Sequence, residues 1–241
     1  MDKNMLKIMA CAKINLSLDI TGIREDGYHL ISSVMQSVDL HDTIIINKCE
    51  NGIKVVSSDN TLGNADDICF KAAQLFFEKS GVVGGAEIIV TKNIPLSAGL
   101  GGGSADAAAV LIGLNKLFNT PLDNNELSKA ALSLGADVPY FLFGGTVLVG
   151  GIGEVCEKIM DIPDCFIVLA KREQKKSTKH MYDVIDNCEE PISVDNEKMI
   201  SYIDLQDING ISNCAKNVFS LAWNDNITTE ILNSFEPLYR S

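Results

Sequence analysis

The sequence lacks three features, and each absence excludes a class of protein. Its seven cysteines include no Cys-x-x-Cys pair and form an odd set, which does not suit a disulfide framework. Basic residues are few, and 20 Lys and Arg against 32 Asp and Glu leave a formal charge of −12, which repels nucleic acid and anionic membranes. No long apolar run occurs near the N-terminus, because Lys13, Asn15 and Asp19 interrupt it. We therefore expect a cytoplasmic protein that binds neither nucleic acid nor membrane.

A glycine-dense loop that runs into an alanine-rich segment is the most informative feature present. The loop comprises Pro95, Leu96, Ser97, Ala98, Gly99, Leu100, Gly101, Gly102, Gly103, Ser104 and Ala105. It lies between a predicted strand at residues 87–91 and a predicted helix at residues 104–118. Glycine permits positive φ and a close approach to a ligand, and the first N–H groups of a helix are unpaired and lie at the positive end of its dipole. This combination predicts a phosphate cradle.

Two better-known phosphate loops do not match this segment. The P-loop ends in Gly-Lys-Ser or Gly-Lys-Thr, whereas Gly103 is followed directly by Ser104. The dinucleotide fingerprint requires a third glycine where this chain has Ser104. A flexible Gly/Ser turn before an ordinary helix stays open as the alternative interpretation.

Alternation of apolar and polar residues predicts the first strand. From residue 8 to residue 20 every even position is apolar, while Lys13 and Asn15 occupy odd positions and therefore point the same way. Further strands are predicted at residues 34–40, 43–47, 53–57 and 86–91, and helices at 67–78 and between the cap Asp123 and Gly135. Beyond residue 161 we predict a short buried strand at 166–170 and then helical fragments at 179–186, 197–203 and 213–223. A domain boundary is predicted near residue 160.

The loop and four other segments resemble a known family. The loop resembles the second motif, Pro-x-x-x-Gly-Leu-Gly-x-x-x-Ala, of the galactokinase, homoserine kinase, mevalonate kinase and phosphomevalonate kinase superfamily. Ala-Lys-Ile-Asn-Leu at 12–16, Gly-Tyr-His at 27–29, Ser-Val-Met-Gln-Ser-Val-Asp-Leu at 33–40 and Gly-Ala-Asp-Val-Pro at 135–139 resemble the 4-diphosphocytidyl-2-C-methyl-D-erythritol kinase family. The resemblance covers about residues 6–182.

The resemblance implies an α+β fold of two domains. Residues 1–160 would form the N-terminal kinase domain, a mixed β-sheet with helices and the phosphate-binding loop. Residues 161–241 would form a shortened α/β C-terminal substrate domain. The implied reaction is ATP-dependent phosphorylation of the 2-hydroxyl of 4-diphosphocytidyl-2-C-methyl-D-erythritol in the non-mevalonate isoprenoid pathway. Mg²⁺ would accompany ATP with Ser104 as a candidate contact, although the resemblance gives no acidic metal ligand.

The resemblance also implies roles for individual residues. Asp137 would accept the proton of the attacking hydroxyl, Lys13 would stabilise the developing alkoxide, and Asn15 would contact the substrate near that hydroxyl. Taken alone, Asp137 is typical of a helix N-cap ahead of Pro139. Lys13, taken alone, is typical of a solvated lysine on a polar strand face.

The cytidine end of the substrate has its own implied residues. Tyr28 would stack on the base and His29 would hydrogen-bond its edge, while Tyr182, after a segment containing Thr178, would close the other side. Taken alone, His29 is typical of a surface turn. The charged segment 171–176 is interpreted either as a solvated loop or as a site that attracts a diphosphate.

One motif of the superfamily has no counterpart here. Nothing after Gly153 matches the third motif, of the Gly-Ser-Gly-Pro-Thr type, and Gly210 is the only glycine in that span. We therefore expect a C-terminal domain that is incomplete relative to the family. The alternatives are a catalytically impaired nucleotide-binding protein and a related kinase acting on another small alcohol. The oligomeric state is left open.

Overall fold

The computed structural model describes residues 4–58, 67–169, 182, 186 and 194–217. Within them, the strands are β1 (Met5–Ile23), β2 (His29–Cys49), β3 (Gly52–Ser57), β4 (Gly85–Thr91), β5 (Thr146–Gly150), β6 (Val155–Lys158) and β7 (Lys216–Asn217). The helices are α1 (Ile68–Ser80), α2 (Gly102–Leu117), α3 (Asn124–Leu134), α4 (Tyr140–Phe143), α5 (Asn196–Asp204) and α6 (Ile208–Cys214). This mixture of helices and strands confirms the predicted α+β class.

A mixed sheet organises these elements around the long strand β2. One edge of β2 pairs antiparallel with β1 along most of its length. Its other edge pairs antiparallel with β5 through residues 33–36 and with β4 through residues 43–49. The outer strand β3 runs parallel to β4, β6 extends the sheet from β5, and β7 runs parallel to β1. The two strands predicted at 34–40 and 43–47 are thus one continuous strand.

Helices cover both faces of the sheet. Phe76 of α1, Leu111 of α2 and Ile44 of β2 are fully buried in the largest apolar cluster. The neighbouring residues Val34 and Met35 point to opposite faces of β2, and they lie in different clusters. The cluster of Val34 includes buried side chains of α5 and α6, whereas the cluster of Met35 includes Tyr140 of α4. The core therefore has two layers, with the sheet between them.

The predicted helix boundaries follow from local capping. Asp67 accepts hydrogen bonds from the N–H groups of Cys69 and Phe70 and begins α1. Asp123 and Glu126 form a reciprocal capping box at the start of α3. The cap at Asp123 is the one that the sequence predicts, whereas Asp67, predicted as the first residue of its helix, is its N-cap.

Strand β1 does not keep one alternation along its length. Its register against β2 shifts on either side of the segment 13–15. Ala10 and Leu18, outside this segment, pack on the side of α2 and α4, whereas Ile14, inside it, packs in the cluster beneath α5 and α6. Because a one-residue shift reverses the faces of a strand, the odd position Lys13 turns toward α2 instead of away from it.

The predicted buried strand at residues 166–170 is wrong for the part that the structure describes. Residues 166–169 form no strand and are exposed, with Phe166 90% exposed. Within the described ranges, no helix combines the length and the apolar character needed to cross a lipid bilayer.

Candidate active site

The glycine loop ends at the start of α2 in a conformation that requires glycine. Gly99 and Gly101 have φ values of 76° and 72°. A Cβ atom on Gly101 would lie 2.6 Å from Cζ of Phe141 and 3.1 Å from Cγ of Lys13. Gly101 is the N-cap of α2 and offers no capping side chain, so the first N–H groups of the helix are left to face the loop. This is the geometry of an anion cradle.

Lys13 makes one contact with this loop and two with other polar side chains. Its backbone N–H donates to the carbonyl oxygen of Leu100 at 2.9 Å. Its ammonium donates to Oδ1 of Asn15 at 2.7 Å and lies 3.6 Å from Oδ2 of Asp137. The side chain is only 8% exposed, so the interpretation of Lys13 as a solvated lysine is wrong. The reversal of faces in β1 brings Lys13 to the loop and keeps Asn15 on the same face as Lys13.

Asp137 lies in the turn between α3 and α4, where its side chain is 42% exposed. The N-cap of α4 is Pro139, and no side chain caps this helix. The N-cap interpretation of Asp137 is therefore wrong. Its carboxylate lies 3.6 Å from the ammonium of Lys13 and is partly open to solvent.

The residues predicted for the base form a second group, of which the structure describes three members. His29, at the start of β2, stacks on Tyr182 with ring centroids 4.2 Å apart and planes 17° apart. Burial raises the pKa of Tyr182, and the negative charge of Asp137 adds to the rise. Tyr28 is 59% exposed, and the guanidinium of Arg24 lies 5.4 Å from its ring centroid.

The fourth predicted member of this second group is not described, and the surface-turn interpretation of His29 is wrong. Thr178 lies outside the described residues. His29 is not a surface residue, because its side chain is 11% exposed and its Nε2 lies 2.8 Å from Oδ1 of Asp186. No sequence signal points to Asp186, because it lies 157 residues from His29 along the chain.

A buried charge cluster below the loop was also missed. Lys92 donates to carboxylate oxygens of both Asp42 and Asp106, and all three side chains are at most 8% exposed. Asp42 also accepts hydrogen bonds from the N–H groups of Asn93 and Ile94. The ammonium lies 3.5 Å from where a Cβ of Gly102 would be. Because Asp106 belongs to α2, Asp42 belongs to β2 and Lys92 follows directly after β4, the cluster connects these three elements.

Asp106 is a member of this cluster whose negative charge is disfavoured by burial. Burial raises its pKa to about 7, even though Lys92 acts in the opposite direction. Its Oδ1 is buried and accepts no hydrogen bond from any residue the structure describes. For Lys92, burial alone would lower the pKa, but the charges of Asp106 and Asp42 outweigh it and the pKa is raised.

The sequence does contain a signal for Asp106. It stands between Ala105 and Ala107 in a helix whose neighbouring positions are small and apolar, which is typical of a buried carboxylate in need of a partner. Lys92 and Asp42 carry no such signal. Among the described residues, no group of three or more His, Cys, Asp or Glu side chains is arranged to hold a metal ion.

Comparison with known proteins identifies the family of this fold and site. The model of the GHMP kinases N terminal domain matches residues 67–145. A Clostridium tetani protein named 4-diphosphocytidyl-2-C-methyl-D-erythritol kinase is 45% identical over 199 residues, which are 82% of this chain and 71% of that protein. A Clostridium botulinum protein of the same name is 42% identical over 214 residues, 88% of this chain and 76% of that protein.

Solved structures agree with the sequence comparison. A crystal structure of 4-(cytidine 5'-diphospho)-2C-methyl-D-erythritol kinase superposes with a TM-score of 0.66 at 27% identity. The match covers 87% of this chain and 77% of that one. With a GHMP kinase domain, relatives above 40% identity over most of the chain and the same fold, the chain belongs to the 4-diphosphocytidyl-2-C-methyl-D-erythritol kinase family.

Proposed function

We propose that this chain transfers the γ-phosphoryl group of ATP to the 2-hydroxyl of 4-diphosphocytidyl-2-C-methyl-D-erythritol, in the non-mevalonate isoprenoid pathway. The observation that carries the proposal is the 3.6 Å contact between Nζ of Lys13 and Oδ2 of Asp137 beside the glycine loop. The names of the relatives supply the substrate. The charged pair supplies a proton acceptor and a cation for the reacting hydroxyl, and the loop supplies N–H donors for the ATP phosphates.

The proposed mechanism assigns one task to each part of the site. Phosphoryl transfer depends on positioning and on charge stabilisation. The N–H groups at the start of α2 bind the ATP phosphates. The 2-hydroxyl oxygen attacks the γ-phosphorus, the bond to the β–γ bridging oxygen breaks, and ADP leaves. Lys13, fixed by Asn15, stabilises the negative charge on the attacking oxygen, and Asp137 accepts the hydroxyl proton.

The two groups depend on each other in this mechanism. A carboxylate is a weak base toward an alcohol, so the proton moves late, after negative charge has begun to develop on the oxygen. The ammonium of Lys13 stabilises that charge in a site where it is shielded from water. The hydroxyl of Ser104, in the first turn of α2, would be the candidate protein ligand of an Mg²⁺ ion accompanying ATP, and the ion would neutralise charge on the phosphate oxygens.

The cytidine end supports the choice of acceptor. The ring of Tyr28 is 59% exposed, and in this proposal it stacks on the base, an interaction worth about 1–3 kcal/mol. His29, the next residue in the chain, offers its Nδ1 for hydrogen bonding, because Asp186 engages its Nε2. In this proposal the base group binds the cytosine, while Lys13 and Asp137 act on the 2-hydroxyl end of the same substrate.

The test is a product analysis by mass spectrometry. The purified chain is incubated with MgATP and, separately, with 4-diphosphocytidyl-2-C-methyl-D-erythritol, mevalonate, homoserine and galactose. We expect a phosphorylated product from the first acceptor only. Phosphorylation of another alcohol would support a related kinase instead, and nucleotide binding without any product would support an impaired nucleotide-binding protein.

A further inference from the structure

The contacts of His29 leave one part of its ring for a ligand. The side chain of Tyr182 covers a face of the ring at a centroid distance of 4.2 Å. The Nε2 atom is engaged by Oδ1 of Asp186 at 2.8 Å. The side chain is 11% exposed, whereas that of Asp186 is 42% exposed. No residue that the structure describes hydrogen-bonds to Nδ1, so the edge of the ring that carries Nδ1 can recognise a base.

The hydrogen-bond partner at Nε2 determines whether Nδ1 is a donor or an acceptor. A carboxylate has only acceptor oxygens, so the hydrogen bond to Asp186 requires His29 to carry its proton on Nε2. In the neutral ring the other nitrogen is then an acceptor. An acceptor pairs with the exocyclic amino group of cytosine, whereas uracil presents a carbonyl oxygen at the same place.

We infer that Asp186 is a positioning residue that fixes His29 as a hydrogen-bond acceptor, through which the site prefers a cytosine base to a uracil base. This inference rests on the proposed function, because it concerns the base end of the same substrate. Asp186 touches no reacting atom in this scheme. It acts through His29, and Tyr182 holds the ring in place.

The experiment compares two acceptors that differ only in the base. One is 4-diphosphocytidyl-2-C-methyl-D-erythritol and the other is its uridine counterpart. The quantity measured is the ratio of kcat/KM for the two acceptors. Asp186→Asn can donate to Nε2 as well as accept from it, so His29 loses its fixed tautomer. We expect the ratio to fall by about tenfold, the equivalent of one hydrogen bond, mainly through a higher KM for the cytidine acceptor.

Three further variants separate positioning from a structural role. Asp186→Glu keeps the carboxylate and is expected to recover part of the preference. Asp204→Asn removes an exposed carboxylate at the end of α5 and is expected to change nothing. In a His29→Ala background, Asp186→Asn is expected to have no additional effect on the ratio, because its action passes through the imidazole.

The outcomes distinguish the two proposals. If the wild-type chain phosphorylates the cytidine acceptor and Asp186→Asn keeps the wild-type ratio, the role of Asp186 is wrong while the proposed function stands. An equal loss of kcat/KM for both acceptors would likewise overturn it, because that is the signature of a structural role. If the wild-type chain phosphorylates neither acceptor, the proposed function fails and the inference fails with it.

Discussion

Lys13 and Asp137 are the residues on which the proposed chemistry depends. We expect Lys13→Met and Asp137→Asn each to lower kcat by about 100-fold or more, a typical contribution of a positioned acid–base or charged group. The double variant should lose less than the product of the two losses, because the groups act as a unit. Steady-state kinetics measure this, and thermal melts check that both variants fold. Normal turnover by either single variant would contradict the assignment.

Asp106 gives a prediction about pH. Its pKa in the folded protein is about 7, above the ordinary value of 3.8, so the folded state favours the protonated form. The contribution of Asp106 to the free energy of unfolding is fully present below about pH 4 and is lost as the pH rises through about 7. Asp106→Asn stays neutral throughout, so we expect it to be more stable than wild type at pH 8, by on the order of 2–4 kcal/mol, and by less than half as much at pH 5.

Thermal melts across this pH range provide the measurement for Asp106. Each kcal/mol corresponds to roughly 2–4 °C in a chain of this size. Asp164→Asn, which alters an exposed carboxylate, serves as the matched control and should show no pH-dependent gain. A gain for Asp106→Asn that is equal at pH 5 and pH 8 would show that burial of its charge is not the cause.

At the scale of elements, the turn into α2 is a place where a side chain is poorly tolerated. Gly101→Ala introduces both a strained φ of 72° and contacts with Phe141 and Lys13. We expect it to raise the KM for ATP by tenfold or more, because the loop must move away from the helix axis and from the lysine. Calorimetric titration with a non-hydrolysable ATP analogue would report the same loss as binding.

Gly81→Ala is the control for that substitution. Gly81 ends α1 with a φ of 64°, and a Cβ there would have no atom within 4 Å. It therefore carries the backbone strain without the clash, at a cost of about 1 kcal/mol in stability. Nucleotide affinity should be unchanged in this variant. Equal weakening of ATP binding in both variants would mean that strain alone, and not the close approach at the loop, explains the effect.

Most helices and strands could be predicted from local signals, whereas the register of β1 and the contacts between distant residues could not. The capping of α1 and α3, the helix after the glycine loop and the helix found at Asn196–Asp204 all follow from residues close in the chain. The burial of Lys13 could not be predicted, because it depends on register shifts in β1 that alternation does not reveal. The bond between His29 and Asp186, like the cluster around Lys92, joins residues far apart in sequence.

For the whole molecule, the predicted boundary near residue 160 stays a prediction, and packing across it offers a test. Met199 of α5 is fully buried in the cluster that contains Leu16 of β1 and Val34 of β2. We expect Met199→Ala to lower the free energy of unfolding by about 2–5 kcal/mol. Because the sheet joins both layers, the amide hydrogen exchange of α1 should accelerate as well as that of β1. Acceleration confined to α5 and α6 would mean that this part unfolds independently.

The single backbone hydrogen bond from Lys13 to Leu100 has a thermodynamic consequence for the two substrates. It connects the strand that carries the proposed oxyanion-stabilising lysine to the loop proposed to bind ATP, so a nucleotide that orders the loop also orders the lysine. Coupling between two sites is reciprocal: whatever factor ATP applies to the affinity for the acceptor, the acceptor applies to the affinity for ATP. Calorimetry with a non-hydrolysable ATP analogue, titrated with and without the acceptor, should give one and the same factor in both orders of addition, above unity in the wild type and closer to unity in Gly101→Ala.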